Sequence, residues 1–273
     1  MKTTKYRMQL TAEQFCVVRD IGEGAFGKCM LARHAAKNQT VVLKQLKKEN
    51  AKVYENECQI LSALSSNSYI VKFKGKFSSE QDLTLVMGYA EGGSLSRMIK
   101  ETGVKKESVL VYFLQLTDAL NHLHLQNILH RDIKPDNIFL CCEKTCVLGD
   151  FGSAIRHNEA DEKDLFGNRG TDEYCAFEVL SGISPATDKS DMWSLGCVLY
   201  EMYERKPAFK HRTPRLKIEN CEYVPMSSST SKLGKFLVEK LIVDHNVRWR
   251  AKDVLSYEKL RAVKYNKKCL HTG

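Results

Sequence analysis

His130-Arg-Asp-Ile-Lys-Pro-Asp-Asn137 is the most specific segment of this chain, and it limits both the fold and the chemistry. Asp132 supplies a carboxylate that can orient a hydroxyl group and accept its proton, and Lys134 supplies a cation for a moving phosphate. Asn137 adds an amide oxygen that can bind a metal ion. A structural interpretation, a polar turn with Asp132 as a helix cap, does not explain why so many suited groups share eight residues. The segment therefore predicts a site for a metal ion and a phosphate group.

A second motif, Asp150-Phe-Gly152, begins eighteen residues after Asp132 and follows a short predicted strand from Thr145 to Leu148. This tripeptide is common by chance, so its spacing from the first motif carries the argument. At this distance it combines a metal-binding carboxylate, an apolar anchor and a flexible glycine. Asn137 and Asp150 are therefore the predicted ligands of a magnesium ion.

Gly22-Glu-Gly-Ala-Phe-Gly27 forms a GxGxxG pattern between two predicted strands. Glycines allow a tight turn and a close approach of the backbone to a phosphate. A dinucleotide-binding site is the alternative, but it requires a helix directly after the third glycine. Lys28 to Ala32 instead has the character of a strand. The pattern thus favours a β-hairpin that covers phosphate groups.

Val41-Val-Leu-Lys44 ends an apolar strand with a lysine, whose charge needs an anionic partner. One candidate is Glu57, which the helical spacing from Lys48 to Leu64 puts on or beside the buried face of a helix. The phosphates of a nucleotide are the other candidate. On this segment alone, Lys44 could also be the first residue of a lysine-rich surface run.

The apolar pattern changes at Gly92-Gly93, from strand-rich to helical. After this break, Glu107 to His124 and Lys189 to Tyr203 are predicted helices, and the first of them carries one apolar stripe. The stripe comprises Leu110, Phe113, Leu114, Thr117, Leu120 and His124. The predicted strands before the break are Gln14 to Ile21, Lys28 to Ala32, Thr40 to Leu46, Val71 to Phe77 and Leu83 to Tyr89. A small sheet unit before a larger helical one predicts a ligand cleft near Met87 to Gly93.

Composition excludes several other classes of protein. The 273 residues are 43% apolar, and no apolar run approaches the roughly 20 residues that a membrane span needs. Met1 to Leu10 lacks the apolar core of a secretory signal, and the ten cysteines are scattered rather than arranged as a disulfide framework. We therefore expect reduced thiols and a cytoplasmic or nuclear location. The net charge of +9 comes without a nucleic-acid-binding motif, so we assign it to solvated surfaces.

In this order, the motifs resemble the eukaryotic protein kinase superfamily over nearly all of residues 15–262. The resemblance implies an α+β bilobal protein-kinase fold, with a small β-rich N-lobe of about residues 15–90 that contains one helix. A larger α-helical C-lobe would cover about residues 91–262, with an N-terminal extension at 1–14 and a basic tail at 263–273. Lys134 and Thr171 point to a serine/threonine kinase. Closer similarity to the NIMA-related kinases rests on Leu85–Leu95, Leu148–Gly152 and Lys189–Glu201.

The resemblance also implies an activity, transfer of the γ-phosphoryl group of Mg-ATP to protein Ser/Thr hydroxyls, and a role for each motif residue. Lys44 would hold the α- and β-phosphates while Glu57 fixes Lys44, Asp132 would position the substrate hydroxyl, and Lys134 would offset charge. Asn137 and Asp150 would hold Mg²⁺. The implied ATP-binding residues are Ile21, Gly22, Glu23, Gly24, Ala25, Phe26, Gly27, Cys29, Val42, Lys44, Met87, Gly88, Ala90 and Phe139. Leu61, Phe73, His130 and Phe151 match the family's stacked spine, and Arg248 its buried partner for Glu178.

The activation segment departs from the family pattern, because no Ser, Thr or Tyr lies between Ser153 and Thr171. Gly167 occupies the place of the usual phosphothreonine, so Arg131 needs another partner. Asp161, Glu162 or Asp164 could substitute for the phosphate and make activity independent of it. A solvated acidic loop is the equal alternative.

The peptide-binding part departs as well. Phe177 replaces the proline of the APE motif, and Asp172-Glu173 alters the loop that docks a peptide substrate. An acidic groove would favour substrates with nearby basic residues. These changes also keep open a pseudokinase that binds ATP or a partner without efficient catalysis.

Gly88 replaces a usual hinge glutamate, which we expect to be tolerated because the adenine contacts are backbone groups. The pattern does not decide the oligomeric state.

Overall fold

A computed structural model describes residues 10–24, 27–142, 144–166, 170–210, 213 and 215–263. Their contacts divide them into two compact units, the first with residues 10–65 and 71–89 and the second with residues 66–70 and 90–263. The division falls between Tyr89 and Ala90. The domain bounds of 15–262 themselves stay a prediction.

The first unit is a five-stranded antiparallel sheet with one α-helix. The strands are β1 (Phe15–Gly24), β2 (Gly27–His34), β3 (Gln39–Lys47), β4 (Phe73–Ser78) and β5 (Asp82–Gly88), in the spatial order β1-β2-β3-β5-β4. The helix α1 (Ala51–Ala63) follows a 3₁₀ turn at Lys48–Asn50. The prediction of five strands and a single helix is confirmed, with shifts of a few residues at the ends.

Both faces of the sheet are buried along β3. Val41 and Leu43 point to one face, where they join a hydrophobic cluster with Phe15, Ala32 and Val86. Because successive side chains of a strand alternate between faces, Lys44 points to the other face, where it is also buried. This burial explains why apolar residues 41–43 of β3 are followed by a lysine that is itself buried.

The second unit is mainly helical and contains two short antiparallel strand pairs. Its helices are α2 (Leu95–Glu101), α3 (Lys106–His124), α4 (Glu162–Phe166), α5 (Phe177–Leu180), α6 (Asp188–Glu204), α7 (Arg215–Glu219), α8 (Lys232–Leu241) and α9 (Ala251–Ser256). The strands are β6 (Ile128–Leu129) with β9 (Ile155–Arg156), and β7 (Ile138–Cys142) with β8 (Thr145–Leu148). Among the described residues, none of the helices has the length and apolar character needed to cross a bilayer.

The predicted stripe on α3 is buried at Phe113, Leu114, Thr117 and Leu120, but burial extends beyond it. Residues on other sides of the helix, such as Val109 and Leu123, are buried as well. The helix packs against β8, α6 and α9, so most of its circumference is covered. Gln115 tolerates this burial because its amide donates to the carbonyl of Lys144 at 2.8 Å and accepts from the backbone N–H of Cys146 at 2.9 Å.

Helix α6 forms the centre of the second unit. Thr187 caps its start, because its hydroxyl accepts a hydrogen bond from the backbone N–H of Lys189 at 3.2 Å. The helix is buried over most of its length, and Gly196 lies so close to α8 that a Cβ atom there would be 2.7 Å from that of Leu241. This close packing holds Asp191, on the same helix, in a fixed position.

Candidate active site

The carboxylate of Asp132 is contacted by two of the predicted site residues, Asn137 and Lys134, and by Thr171. Asn137 donates its side-chain amide to the carboxylate at 2.9 Å and to the Asp132 carbonyl at 2.7 Å. The Lys134 ammonium lies 2.9 Å from the same carboxylate, and the Thr171 hydroxyl and backbone N–H each lie 3.2 Å from its other oxygen. Lys134 also donates to the Thr171 hydroxyl at 2.8 Å. Asp132 is therefore held in one orientation, as a group that positions a hydroxyl must be.

The loop that carries Asp132 is anchored by a buried carboxylate on α6. Asp191 accepts hydrogen bonds from the backbone N–H groups of His130 at 3.0 Å and Arg131 at 2.9 Å. The His124 ring lies 2.9 Å from the same carboxylate. Burial disfavours the charged form of Asp191, but these hydrogen bonds outweigh it and hold its pKa below the usual range. The anchor also stabilises Arg131 in a left-handed conformation at φ 66°.

The segment with Asp150 is joined to the same loop. The ring of Phe151 contacts the ring of His130 edge to face at 4.8 Å, and His130 Nε2 lies 3.0 Å from the Gly149 carbonyl. The Gly149 N–H donates to the backbone carbonyl of Asn137 at 2.9 Å. Two members of the predicted spine, His130 and Phe151, are therefore in contact within the second unit.

The donor set of Asn137 and Asp150 suits a hard cation. Asn137 uses its amide hydrogens for Asp132, which leaves the amide oxygen as the end that can bind a metal. Asp150 adds a carboxylate from a residue with a left-handed backbone at φ 55°. An amide oxygen and a carboxylate are ligands that Mg²⁺ accepts, together with water and phosphate oxygens. The residues present thus fit the predicted ion.

Arg131 contacts the activation segment through backbone groups. Its guanidinium donates to the carbonyl of Ser153 at 2.9 Å and to the carbonyl of Asp164 on α4. Through the bond to Asp164, Arg131 contacts α4 without a phosphate group between them. A contact of this kind is needed if Arg131 has a partner other than a phosphothreonine. Substitution by the carboxylates of Asp161, Glu162 or Asp164 stays a prediction, and Gly167 lies outside the described residues.

In the first unit, the ammonium of Lys44 lies 2.9 and 2.8 Å from the two carboxylate oxygens of Glu57. Glu57 has no exposed surface, and Lys44 is 7% exposed. The alternative of Lys44 as part of a surface run is therefore wrong. An ion pair buried this deeply is costly to desolvate, so it is better evidence of a positional role than of added stability.

Other predicted nucleotide-binding residues share the strands around Lys44. Gly22 pairs with Cys29 across β1 and β2, Cys29 with Lys44 across β2 and β3, and Val42 with Met87 across β3 and β5. Ile21 and Glu23 belong to the exposed end of β1, Gly24 ends that strand, Gly27 begins β2, and Gly88 ends β5. Ala90 and Phe139 belong to the second unit, and Ala25 and Phe26 lie outside the described residues.

Sequence patterns did not reveal several contacts that support these residues. His124 at Asp191 is one, and the hydroxyl of Tyr174 donating to Glu201 at 2.6 Å is another. The carboxylates that receive these contacts, Asp191 and Glu201, are isolated acidic residues on the mostly buried helix α6, so no repeated spacing marks them. The pairing of Glu178 with Arg248, expected from the resemblance, is present with bonds of 2.6 and 3.1 Å.

The family model of the protein kinase domain matches residues 15–258 of the chain. This match covers most of the 273 residues, so the chain belongs to the protein kinase family. Its five-stranded first unit and helical second unit are those of the family's bilobal fold.

Curated relatives define the type of kinase. Serine/threonine-protein kinase nekl-2 of Caenorhabditis elegans is 36% identical, over 84% of this chain and 69% of that protein. Serine/threonine-protein kinase Nek3 of Oryza sativa subsp. japonica is 38% identical, over 84% of this chain and 41% of that protein. Serine/threonine-protein kinase Nek3 of Mus musculus is 36% identical, over 72% of this chain and 39% of that protein. The chain is a serine/threonine protein kinase of the NIMA-related type, and it spans less than half the length of the rice and mouse relatives.

Proposed function

We propose that this chain transfers the γ-phosphoryl group of Mg-ATP to serine or threonine hydroxyls of proteins. The observation that carries the proposal is the constrained carboxylate of Asp132, which Asn137, Lys134 and Thr171 contact together. Phosphoryl transfer depends mainly on positioning and charge stabilisation, so a fixed carboxylate beside a lysine cation is the arrangement it needs.

In this mechanism, Asp132 orients the substrate hydroxyl and accepts its proton. Lys134, which now contacts both Asp132 and Thr171, offsets the charge on the transferring group. Asn137 and Asp150 would hold Mg²⁺, which when bound neutralises charge on the phosphate oxygens. In the first unit, Glu57 holds Lys44, and Lys44 binds the α- and β-phosphates.

We propose that the remaining nucleotide contacts are those predicted from the sequence. The N–H of Gly88 donates to the carbonyl of Lys72 at 2.8 Å, so its contribution to adenine binding would come from its carbonyl group. A Cβ atom at Gly22 would meet no atom within 4 Å, which leaves room for a phosphate against the backbone.

Basic residues near the phosphorylated hydroxyl are the proposed preference for substrates. Burial raises the pKa of Glu201, and the charges of Asp136 and Glu173 act in the same direction, against the hydrogen bond from Tyr174. Asp172 adds an exposed carboxylate in the same segment. Arg or Lys on a peptide would relieve this mutual repulsion.

The decisive experiment measures incorporation of γ-phosphate from Mg-ATP into a generic basic protein, with the wild-type chain and Asp132→Asn. We expect phosphate on Ser or Thr with the wild-type chain, and a loss of roughly 10²- to 10³-fold or more in the variant, as for removal of one key electrostatic group. Asp244→Asn is the matched control, because this exposed carboxylate lies outside the predicted site residues and accepts from the N–H of Asn246, a bond that an Asn side chain can also accept.

Two results would separate the proposal from its alternative. A wild-type chain that binds ATP, remains folded and transfers no phosphate would favour the pseudokinase interpretation, with Phe177 and Asp172-Glu173 as the first residues to revert. Equal activity of the wild-type chain and Asp132→Asn would reject the assigned role of Asp132.

A cytoplasmic or nuclear location stays a prediction.

A further inference from the structure

Tyr54 on α1 forms a polar contact that the proposed mechanism does not use. The residue is 2% exposed, and its hydroxyl lies 3.3 Å from the carbonyl oxygen of Thr84 and 3.4 Å from that of Phe77. A hydroxyl has one hydrogen, so the two carbonyls share it. Tyr54 precedes Glu57 by three residues, and residues at this spacing lie on the same side of a helix. The side of α1 that carries Glu57 therefore also carries, one turn earlier, a hydrogen-bonded hydroxyl that attaches the helix to the sheet.

The register of the strands relates the hydrogen bonds of Tyr54 to the ion pair of Glu57 with Lys44. Phe77 and Thr84 face each other across β4 and β5, so the Tyr54 hydroxyl lies at a cross-strand pair. The next residue of β5, Leu85, pairs with Lys44 on β3. Tyr54 and Glu57 are thus attached to adjoining positions of one sheet, the first through backbone carbonyls and the second through the Lys44 ammonium.

A third contact keeps the Tyr54 ring in place. The Lys76 ammonium lies 5.5 Å from the centre of the ring and 2.6 Å from the carboxylate of Glu55, the next residue on α1. A cation over an aromatic face is favourable, and the exposed ion pair adds little by itself. Burial, helped by the neighbouring Cys58 and Glu55, raises the pKa of Tyr54, so its hydroxyl stays a neutral donor at physiological pH.

We propose that Tyr54 is a positioning residue that holds α1 in the orientation in which Glu57 engages Lys44. Without the hydroxyl, the helix keeps its apolar packing but loses the tie that precedes Glu57, and α1 can rotate or lift away from Lys44 more often. The expected effect of Tyr54 on catalysis rests on the proposed phosphoryl transfer, which requires this ion pair. The expected effect of Tyr54 on the ion pair itself is independent of that function.

The expected effect is a two- to fivefold increase in the population with a broken ion pair. A neutral hydrogen bond contributes about 0.5–1.5 kcal/mol, and a long, shared one belongs at the lower end of that range. Because about 1.4 kcal/mol corresponds to a tenfold change in an equilibrium constant, this lower end gives the stated factor.

Tyr54→Phe tests the proposal because it removes the hydroxyl and keeps the ring that packs under Lys76. Tyr200→Phe is the matched control: its hydroxyl, also on a buried tyrosine, donates to the carbonyl of Val224 at 2.9 Å within the second unit. Glu57→Gln sets the upper limit, since it weakens the ion pair directly.

The first readout is the rate at which acetic anhydride acylates Lys44, followed by mass spectrometry on the nucleotide-free chain. A buried, ion-paired amine reacts only when the pair opens, so the rate reports the open population. We expect Tyr54→Phe to label Lys44 two to five times faster than the wild-type chain, and Tyr200→Phe to label it at the wild-type rate. Equal labelling of Lys44 in the two tyrosine variants would overturn the proposal and leave the Tyr54 hydroxyl a merely stabilising group.

The second readout separates this proposal from the proposed activity. If the wild-type chain transfers phosphate, Tyr54→Phe should lower kcat by no more than the labelling factor and leave the KM for the peptide unchanged, while Tyr200→Phe changes neither. A wild-type chain without phosphate transfer would reject the proposed function, yet the labelling of Lys44 would still decide the role of Tyr54.

Discussion

Replacing Arg248 by Met is expected to destabilise the second unit by about 3–5 kcal/mol, the usual cost of breaking a buried ion pair by removing one partner. The guanidinium donates two hydrogen bonds to the carboxylate of Glu178, at 2.6 and 3.1 Å. Arg248 is 2% exposed and Glu178 is 7% exposed, so water cannot replace the lost bonds. Met has a similar length but loses these bonds together with those from the guanidinium to the carbonyls of Val243 and Lys189. The Glu178 carboxylate is left with Ser190 and His245 as weaker partners at 3.3 Å.

The pH dependence gives this prediction a direction. In the wild-type chain, burial opposes ionisation of Glu178, but the bonds from Arg248 outweigh it and lower its pKa below 4.5. The pair therefore stabilises the fold above about pH 4.5, and this contribution is lost as the pH falls through the lowered pKa. Without Arg248, fewer contacts oppose the effect of burial, so the pKa of Glu178 should be higher than in the wild-type chain. The penalty in the variant is then largest at high pH and shrinks as the carboxyl group is protonated.

Urea and thermal unfolding at pH 8 and pH 5 measure both effects. At about 2–4 °C per kcal/mol for a domain of this size, the midpoint of thermal unfolding should fall by about 6–20 °C at pH 8, and by less at pH 5. Arg97→Met is the control, because its ion pair with Glu101 is exposed and worth only about 0.3–0.5 kcal/mol.

Two outcomes would refute this reasoning. One is a loss of stability in Arg248→Met no larger than that in Arg97→Met. The other is a penalty that grows as the pH falls from 8 to 5, because this is the opposite of what an unpaired buried carboxylate produces. In the double variant Glu178→Gln with Arg248→Met, part of the lost stability should return.

Two further predictions concern ligand binding. Gly27→Ala should destabilise the pairing of β2 with β3, since its Cβ would collide with the carbonyl of Gln45 on β3, whereas Gly22→Ala should leave stability unchanged and weaken ATP binding. Thermal unfolding and nucleotide titration check both, and equal stability of the two variants would contradict the difference. A peptide library should show enrichment of Lys or Arg near the phosphorylated residue, and this enrichment should fall in Asp172→Asn with Glu173→Gln. A library without such enrichment would reject the proposed preference.

Local patterns predicted the first unit well because its strands carry Val, Ile, Leu and Phe between polar turns. They also offered Glu57 as one of two anionic partners for Lys44, with nucleotide phosphates as the other, and the structure contains the ion pair with Glu57. Helix α3 shows where this reasoning fails. Its covering elements, β8, α6 and α9, come later in the chain, so its own sequence could not show that nearly all sides would be buried.

The motifs of the chain were sufficient to predict the kinase family, the serine/threonine type and the bilobal fold, because their residues lie close together in sequence at characteristic spacings. Spacing carries no such information for partners that are distant in the chain. Asp191 holds the backbone of His130 from 61 residues away, and Tyr54 reaches the carbonyl of Thr84 from 30 residues away. The packing of α6 within the second unit brings Asp191 to His130, and the packing of α1 within the first unit brings Tyr54 to Thr84. Each hydrogen bond depends on an approach of about 3 Å, which no local sequence pattern records.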